Sequence, residues 1–196
     1  VIDLPGFGSS PVPAGPTTVD THIATVRGVL DALGLDDVAV VGHDSGGLIT
    51  RHAVAGDARV RAVGLVDTEQ MRLGWRFRSF LAIRHVPGAA AALAWACSVP
   101  AVRRSRAVLG DAFVDRSLLD GEFDELFLQP IVRDPARRRV AFEVLRSFDL
   151  GHIRALPDVH RRIDVPVHLV WGERDAFFPV ARARSTTFWA SAALVA

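Results

Sequence analysis

The segment Val41-Gly42-His43-Asp44-Ser45-Gly46-Gly47 places two side chains able to attack an electrophile between an apolar run and a helical pattern. A sharp strand-to-helix turn holds such a residue clear of the sheet, and the pattern that permits it is small-x-nucleophile-x-small. The positions two before and two after the nucleophile are expected to pack together, so both should be glycine. With Asp44 as nucleophile these are Gly42 and Gly46. With Ser45 they are His43 and Gly47, and His43 is too bulky for the contact. Asp44 is therefore the favoured reading, with Ser45 as the alternative. A blander role is also open to Asp44, as the residue that caps the first free amides of the next helix. A carboxylate there is ionised at neutral pH and is a nucleophile without a base to remove a proton. The positive end of the helix beginning near Ser45 favours the anion.

The elements that must position this turn are legible around it. Residues 37–43 form an unbroken apolar run, read as a parallel-sheet strand buried on both faces. Before it, Thr17–Leu33 has helical spacing, with Ile23, Val26, Val29, Leu30 and Leu33 on one face. After it, a helix is expected over Gly46–Ala55, a strand over Val60–Val66 and another over Val165–Trp171. Strand, helix, strand in this order predicts an α/β fold with a parallel sheet. Residues 69–161 break the rhythm: they read as short helices divided by Pro87-Gly88, Pro100, Gly110, Gly121, Pro130 and Pro135, with no convincing strand. The domains expected are a core over residues 1–68 and 162–196 and a helical insert over 69–161. Trp75, Trp95, Phe77, Phe80 and Phe127 are candidates for a pocket lining, with packing as the plainer role.

Three segments carry a family resemblance. Asp3-Leu4-Pro5-Gly6-Phe7-Gly8-Ser9-Ser10 resembles the DxPGxGxS stretch of α/β-hydrolase-fold enzymes. Gly42–Gly47 resembles the GHDxGG elbow of their epoxide hydrolase and haloalkane dehalogenase branch. Trp171–Pro179 resembles the WGxxDxxxP segment that carries the acid of the triad. The resemblance implies an α/β-hydrolase fold: a mostly parallel sheet flanked by helices, with residues 69–161 as a helical cap between core strands. It implies an alkyl ester on Asp44 formed with an epoxide or organohalide, then hydrolysed by water that a histidine activates. The Ser45 backbone N–H would help hold the resulting oxyanion. Asp175 is the acid expected to orient that histidine, with Asp67, at the end of the second strand, as its rival. The seven histidines all precede Asp175, whereas the family's catalytic one follows the acid. The chain begins at Val1, and Ser185–Ala196 is uncharged and lacks helical polarity. A core incomplete at both ends, with weak or no activity of its own, is therefore expected. The relatives commonly polarise an epoxide with cap tyrosines, and this sequence has none. Dehalogenase relatives often carry Trp or Arg after the nucleophile, where Ser45 stands. The leaving group stays open, as do a serine esterase using Ser45 and a non-catalytic scaffold.

Composition narrows the partners. The 196 residues carry 23 basic and 22 acidic side chains, a net charge of +1, which gives no field for nucleic acid. The clusters Arg103-Arg104, Arg137-Arg138-Arg139 and Arg161-Arg162 read as solvated helix faces. Cys97 stands alone, so no internal disulfide can form, which fits a cytoplasmic setting. No apolar run reaches the roughly 18 residues of a membrane span. A small-molecule substrate is expected, with no cofactor and no metal.

Overall fold

The computed structural model describes residues 1–185 and 193–195. The chain forms two compact units, one of Val1–Thr18 with Arg78–Phe148 and one of Val19–Phe77 with Asp149–Ala196.

The second unit is α/β. Its elements in chain order begin with α1 (Val19–Ala32), β1 (Val38–His43), α2 (Ser45–Val54) and β2 (Val60–Val66). After the excursion through the other unit come α8 (Leu150–Arg154), α9 (Leu156–Arg161), β3 (Val167–Val170), α10 (Val180–Ser185) and β4 (Ala193–Val195). The strands form a parallel sheet in the order β1-β2-β3-β4. Parallel neighbours need a crossover, and α2 supplies it between β1 and β2. Val63, Leu65, Val167 and Leu169 are at most 5% exposed and form the core with Leu48 of α2. The α1 face that packs is Val19, His22, Ile23, Val26 and Leu30, a period of three to four. Leu33 falls past the helix end and is 65% exposed, so it is not part of that face. Arg27 of α1 donates to the carbonyls of Ala53 (2.9 Å) and His52 (2.6 Å), which the last turn of α2 leaves without helical partners.

Two expectations for the strands need correction. β1 is not buried on both faces: it is an edge of the described sheet, and Ala39, Val41 and His43 are exposed, Val41 to 72%. The expected reading of the tail passes over β4, whose three residues are too few to show an alternating pattern. The rest of the tail reading, over 186–192 and 196, lies outside the described residues.

The other unit is helical. It contains α4 (Ala89–Ser98), α5 (Pro100–Arg103), α6 (Gln129–Arg133) and α7 (Pro135–Ser147), while α3 (Trp75–Ala82) spans the boundary residue Phe77. α7 starts at Pro135 and is capped by Asp134, whose carboxylate accepts from the amides of Ala136 and Arg137. The opening turn is tied to it: Arg137 Nη1 donates to the carbonyls of Gly6 (3.2 Å) and Gly8 (3.0 Å). The turn closes on Asp3, which accepts from the Ser9 amide at 2.8 Å. A Cβ at Gly8 (φ +49) would run into that carboxylate. Of the expected insert 69–161 the helical unit holds 78–148, and it also takes Val1–Thr18, expected in the core; α8 and α9 pack in the α/β unit, through His152 and His160 against α2.

Arg103 also departs from expectation. It is 4% exposed rather than solvated, and it pairs with Asp120 (2.7 Å) and Asp124 (2.8 Å). Buried guanidinium is tolerated here because two carboxylates meet its donors. Arg103→Ala leaves those carboxylates without their cation and should destabilise the helical unit by about 3 kcal/mol, read from urea denaturation followed by Trp95 fluorescence. A loss under ~1 kcal/mol would show the pair to be solvated after all.

Candidate active site

β1 ends at His43 and α2 begins at Ser45, so a single residue makes the turn. That residue, Asp44, has φ 51° and ψ −132°, a backbone conformation that side-chain-bearing residues rarely adopt. Its carboxylate makes no capping bond to the helix amides, which sets aside the N-cap reading. Backbone bonds hold the turn. The Asp44 amide donates to the carbonyls of Val66 (3.2 Å) and Asp67 (3.1 Å), and its carbonyl accepts from the Gly47 amide at 2.8 Å. Gly42 is required by close approach: a Cβ there would sit 2.6 Å from the Gly46 oxygen and 2.7 Å from the Gly47 Cα. The expectation that Gly46 is needed for the same reason does not hold, since a Cβ on it would meet nothing within 4 Å. The crowded partner is Gly47, where a Cβ would strike the Thr68 side chain at 2.4 Å.

Three carboxylates gather near this turn. The strands are in register, with His43 opposite Val66 and Val66 opposite Val170, so whatever follows each strand reaches the same edge of the sheet. Asp44 follows β1, Asp67 follows β2, and Asp175 lies in the loop after β3. Asp67 accepts from the Gly172 amide at 2.8 Å. Asp175 accepts from the amides of Phe177 (2.6 Å) and Phe178 (2.9 Å), which shapes its loop. The two candidate acids therefore stand side by side, each against the same segment, instead of one replacing the other.

Their closeness bears on Asp44 and Asp67. Asp44 keeps a solvent-facing surface, yet protein crowds it closely enough to displace much of its bulk water. That desolvation pushes its carboxyl up to about 6, Asp175 and Asp67 adding to the rise. The Ser45 amide and hydroxyl, close beside it, pull the other way by favouring the charged form. Asp67 is also raised, by burial first and then by Asp175, while His43 favours its charge.

No histidine among the described residues hydrogen-bonds to Asp44, Asp67 or Asp175. His52 meets the His152 carbonyl at 3.1 Å, His152 meets Asp20 at 3.0 Å, and His160 lies against Arg51 at 3.4 Å. His43, a member of the elbow pattern with no expected role in the site, is near enough to Asp67 to influence its charge. Sequence reasoning also missed Glu69, which is 1% exposed and lies 2.9 Å from Ser45 Oγ. Its position at the start of a helical insert carried no signal of this. Of the aromatic candidates, Phe77 is buried and packs on Phe178, whereas Trp75, Trp95 and Phe127 are exposed. The side chain of Phe80 lies outside the described set. No group of three or more metal-ligating side chains occurs among the described residues. No helix among them is long and apolar enough to cross a membrane.

A parallel sheet with a strained strand-to-helix elbow and carboxylates at the same edge defines an α/β enzyme-type scaffold. The comparisons agree: residues 1–194 match the model of the alpha/beta hydrolase fold family, and the chain belongs to that family. It is 35% identical over 124 residues to the lipase LipV of Mycobacterium tuberculosis, a match spanning 63% of this chain and 45% of the lipase. Among solved structures it resembles the serine hydrolase CCSP0084 from a polyaromatic-hydrocarbon-degrading Cycloclasticus, with TM-score 0.70 and 19% identity over 98% of this chain and 68% of that one. It also resembles a variant of the haloalkane dehalogenase DatA from Agrobacterium tumefaciens, with TM-score 0.68 and 18% identity over 97% and 69%. These structural likenesses establish the fold.

Two outcomes follow from the elbow. Gly42→Ala should cost about 2 kcal/mol in chemical denaturation, because backbone must move, whereas Gly46→Ala should be tolerated within ~0.5 kcal/mol; equal effects would contradict the packing. The raised Asp44 carboxyl also has a linkage consequence. An acid that holds its proton more tightly when folded favours the fold at low pH and loses that advantage as pH rises from 3.8 to about 6. Asp44→Asn should therefore gain stability relative to the parent across that window and hold a constant difference above it. Thermal melts at stepped pH read this directly, and a pH-independent difference would refute the raised value.

Proposed function

We propose that the chain carries the nucleophile of a hydrolase site in which Asp44 attacks a small electrophilic substrate, an epoxide or an organohalide. The observation behind this reading is the conformation of Asp44 itself: it, not Ser45, occupies the strained turn between β1 and α2. Ionised Asp44 needs no general base for the attack. One carboxylate oxygen bonds to the saturated carbon while the carbon–halogen bond breaks and halide leaves. With an epoxide, a ring carbon–oxygen bond breaks and the ring oxygen takes up a proton from water. An ester on Asp44 results in either case. The Ser45 amide, which favours the charged form of the carboxylate, would hold the oxyanion when water later attacks the ester carbonyl. Asp175 and Asp67 are the candidates to orient a histidine for that step.

The likeness to a lipase favours a second reading, a serine esterase using Ser45. Against it, the Ser45 hydroxyl is engaged with Glu69 at 2.9 Å, and Ser45 is the first residue of α2, one position past the turn.

Intact-mass and peptide mass spectrometry after exposure to panels of haloalkanes, epoxides and ester analogues separates these readings. The expected outcome is an alkyl adduct on the peptide containing Asp44, absent in Asp44→Asn and retained in Ser45→Ala. An acyl adduct on Ser45 would overturn the assignment.

A further inference from the structure

The side chains packed behind the elbow pose a proton-counting problem. Thr68 Oγ1 lies 2.7 Å from the Asp44 carbonyl oxygen and 2.9 Å from Glu69 Oε2, and Arg51 Nη2 donates to it over 3.1 Å. A threonine hydroxyl has one hydrogen and two lone pairs. The Asp44 carbonyl can only accept, so at 2.7 Å the Thr68 hydrogen must point to it. Both Thr68 lone pairs are then acceptors, one for Arg51 and one facing Glu69. Glu69 can donate to it only if Oε2 carries a proton. Its other oxygen, Oε1, is 2.9 Å from Ser45 Oγ and accepts the serine hydrogen. With one proton on Glu69 every short contact joins a donor to an acceptor. With none, one of them sets acceptor against acceptor.

We propose that Glu69 is a positioning residue of the elbow, acting as a neutral carboxylic acid that donates to Thr68 and accepts from Ser45. Through Thr68 it holds the carbonyl of Asp44, and through Ser45 it holds the residue that supplies the amide beside the Asp44 carboxylate. The turn is gripped on both sides by one side chain.

The surroundings fit a neutral acid. Glu69 is 1% exposed. Burial raises its carboxyl, and Asp44 raises it further, while Arg51 opposes both. Arg51 directs its donors elsewhere: to the carbonyls of Gly47 (3.0 Å) and of Glu69 itself (2.8 Å), to Thr68, and to His160. Because Arg51 can only donate, His160 Nε2 must accept, so His160 is neutral, and burial pushes it down to about 3. The charges facing Glu69 are thus Asp44 from the elbow and Arg51 from α2, with Asp67 and Asp175 beyond Asp44. A neutral acid supplies directional bonds there without adding a further negative charge behind the nucleophile. Its role as a positioning residue rests on Asp44 as nucleophile; its protonation state does not.

Carboxyl-carbon NMR on chain labelled at Asp and Glu, from about pH 4 to about pH 9, tests the proposal, with Asp44→Asn and Glu69→Gln assigning the signals. One glutamate resonance should remain in the protonated form past pH 7 and vanish in Glu69→Gln. Glutamine keeps both bonds, an amide N–H to Thr68 and a carbonyl for Ser45, so the Asp44 midpoint should move by less than about 0.3 of a pH unit. Glu69→Ala removes the grip and should speed amide hydrogen exchange at Gly47; where that variant does not fold, Glu69→Gln carries the test. A Glu69 that titrates with the ordinary glutamates overturns the proposal. So does a fall of about one unit in the Asp44 midpoint in Glu69→Gln, the response expected when a neighbouring negative charge is deleted. Failure of the nucleophile reading is distinct: it appears as an adduct on Ser45 with these titrations as expected.

Discussion

Where β1 turns into α2, two stretches of backbone meet with no space for a side chain between them. The Gly42 Cα faces the Gly46 carbonyl and the Gly47 Cα so closely that one added carbon would lie 2.6 Å from its neighbour. This contact fixes the angle at which the helix leaves the strand, and Asp44 absorbs the bend by adopting a positive φ. Such a conformation costs on the order of 1–3 kcal/mol and persists only when its surroundings over-determine it. Here they do. The Asp44 amide is bound to the chain that follows β2, its carbonyl is bound to Gly47 and Thr68, and the crossover through α2 locks β1 beside β2.

The same turn dictates a buried polar layer. Thr68 must approach Gly47 to reach the Asp44 carbonyl, which brings Glu69 and Arg51 into a space that Leu65, Leu169 and Trp171 also line. Polar groups in such a place are costly unless each finds a partner. Arg51 meets four of them, on α2, on the segment after β2 and on α9. The helix that carries the turn is thereby anchored to the sheet from beneath by directional bonds as well as by Leu48 and its apolar neighbours.

Parallel register then concentrates charge. Strands that run the same way and end level deliver the residues after them to one edge, so Asp44, Asp67 and Asp175 come together although more than a hundred residues separate the first from the last. Asp175 and Asp67 disfavour ionisation of Asp44, Asp175 disfavours that of Asp67, and amides compensate, Ser45 for Asp44 and Gly172 for Asp67, while the amides of Phe177 and Phe178 hold Asp175 in its loop. Backbone donors do the work that cations would do elsewhere, holding acids in place without neutralising them.

Much of this was written in the sequence by itself. Apolar run, turn glycines and helical spacing located β1, α2 and β2 to within a residue or two, because local periodicity and close backbone approach leave marks on neighbouring residues. The need for Gly42 was legible for the same reason, because a tight strand-to-helix turn demands glycine where backbone meets backbone. Tertiary structure alone decided the rest. It drew α8 and α9 into the α/β unit, buried Arg103 against two carboxylates and added the short strand β4. It set Asp67 beside Asp175, a pairing that no spacing along the chain encodes. It also brought Glu69 under the elbow, since hydrogen-bond partners distant in sequence are chosen by how strands and helices stack, and a lone buried acid leaves no pattern in the residues around it.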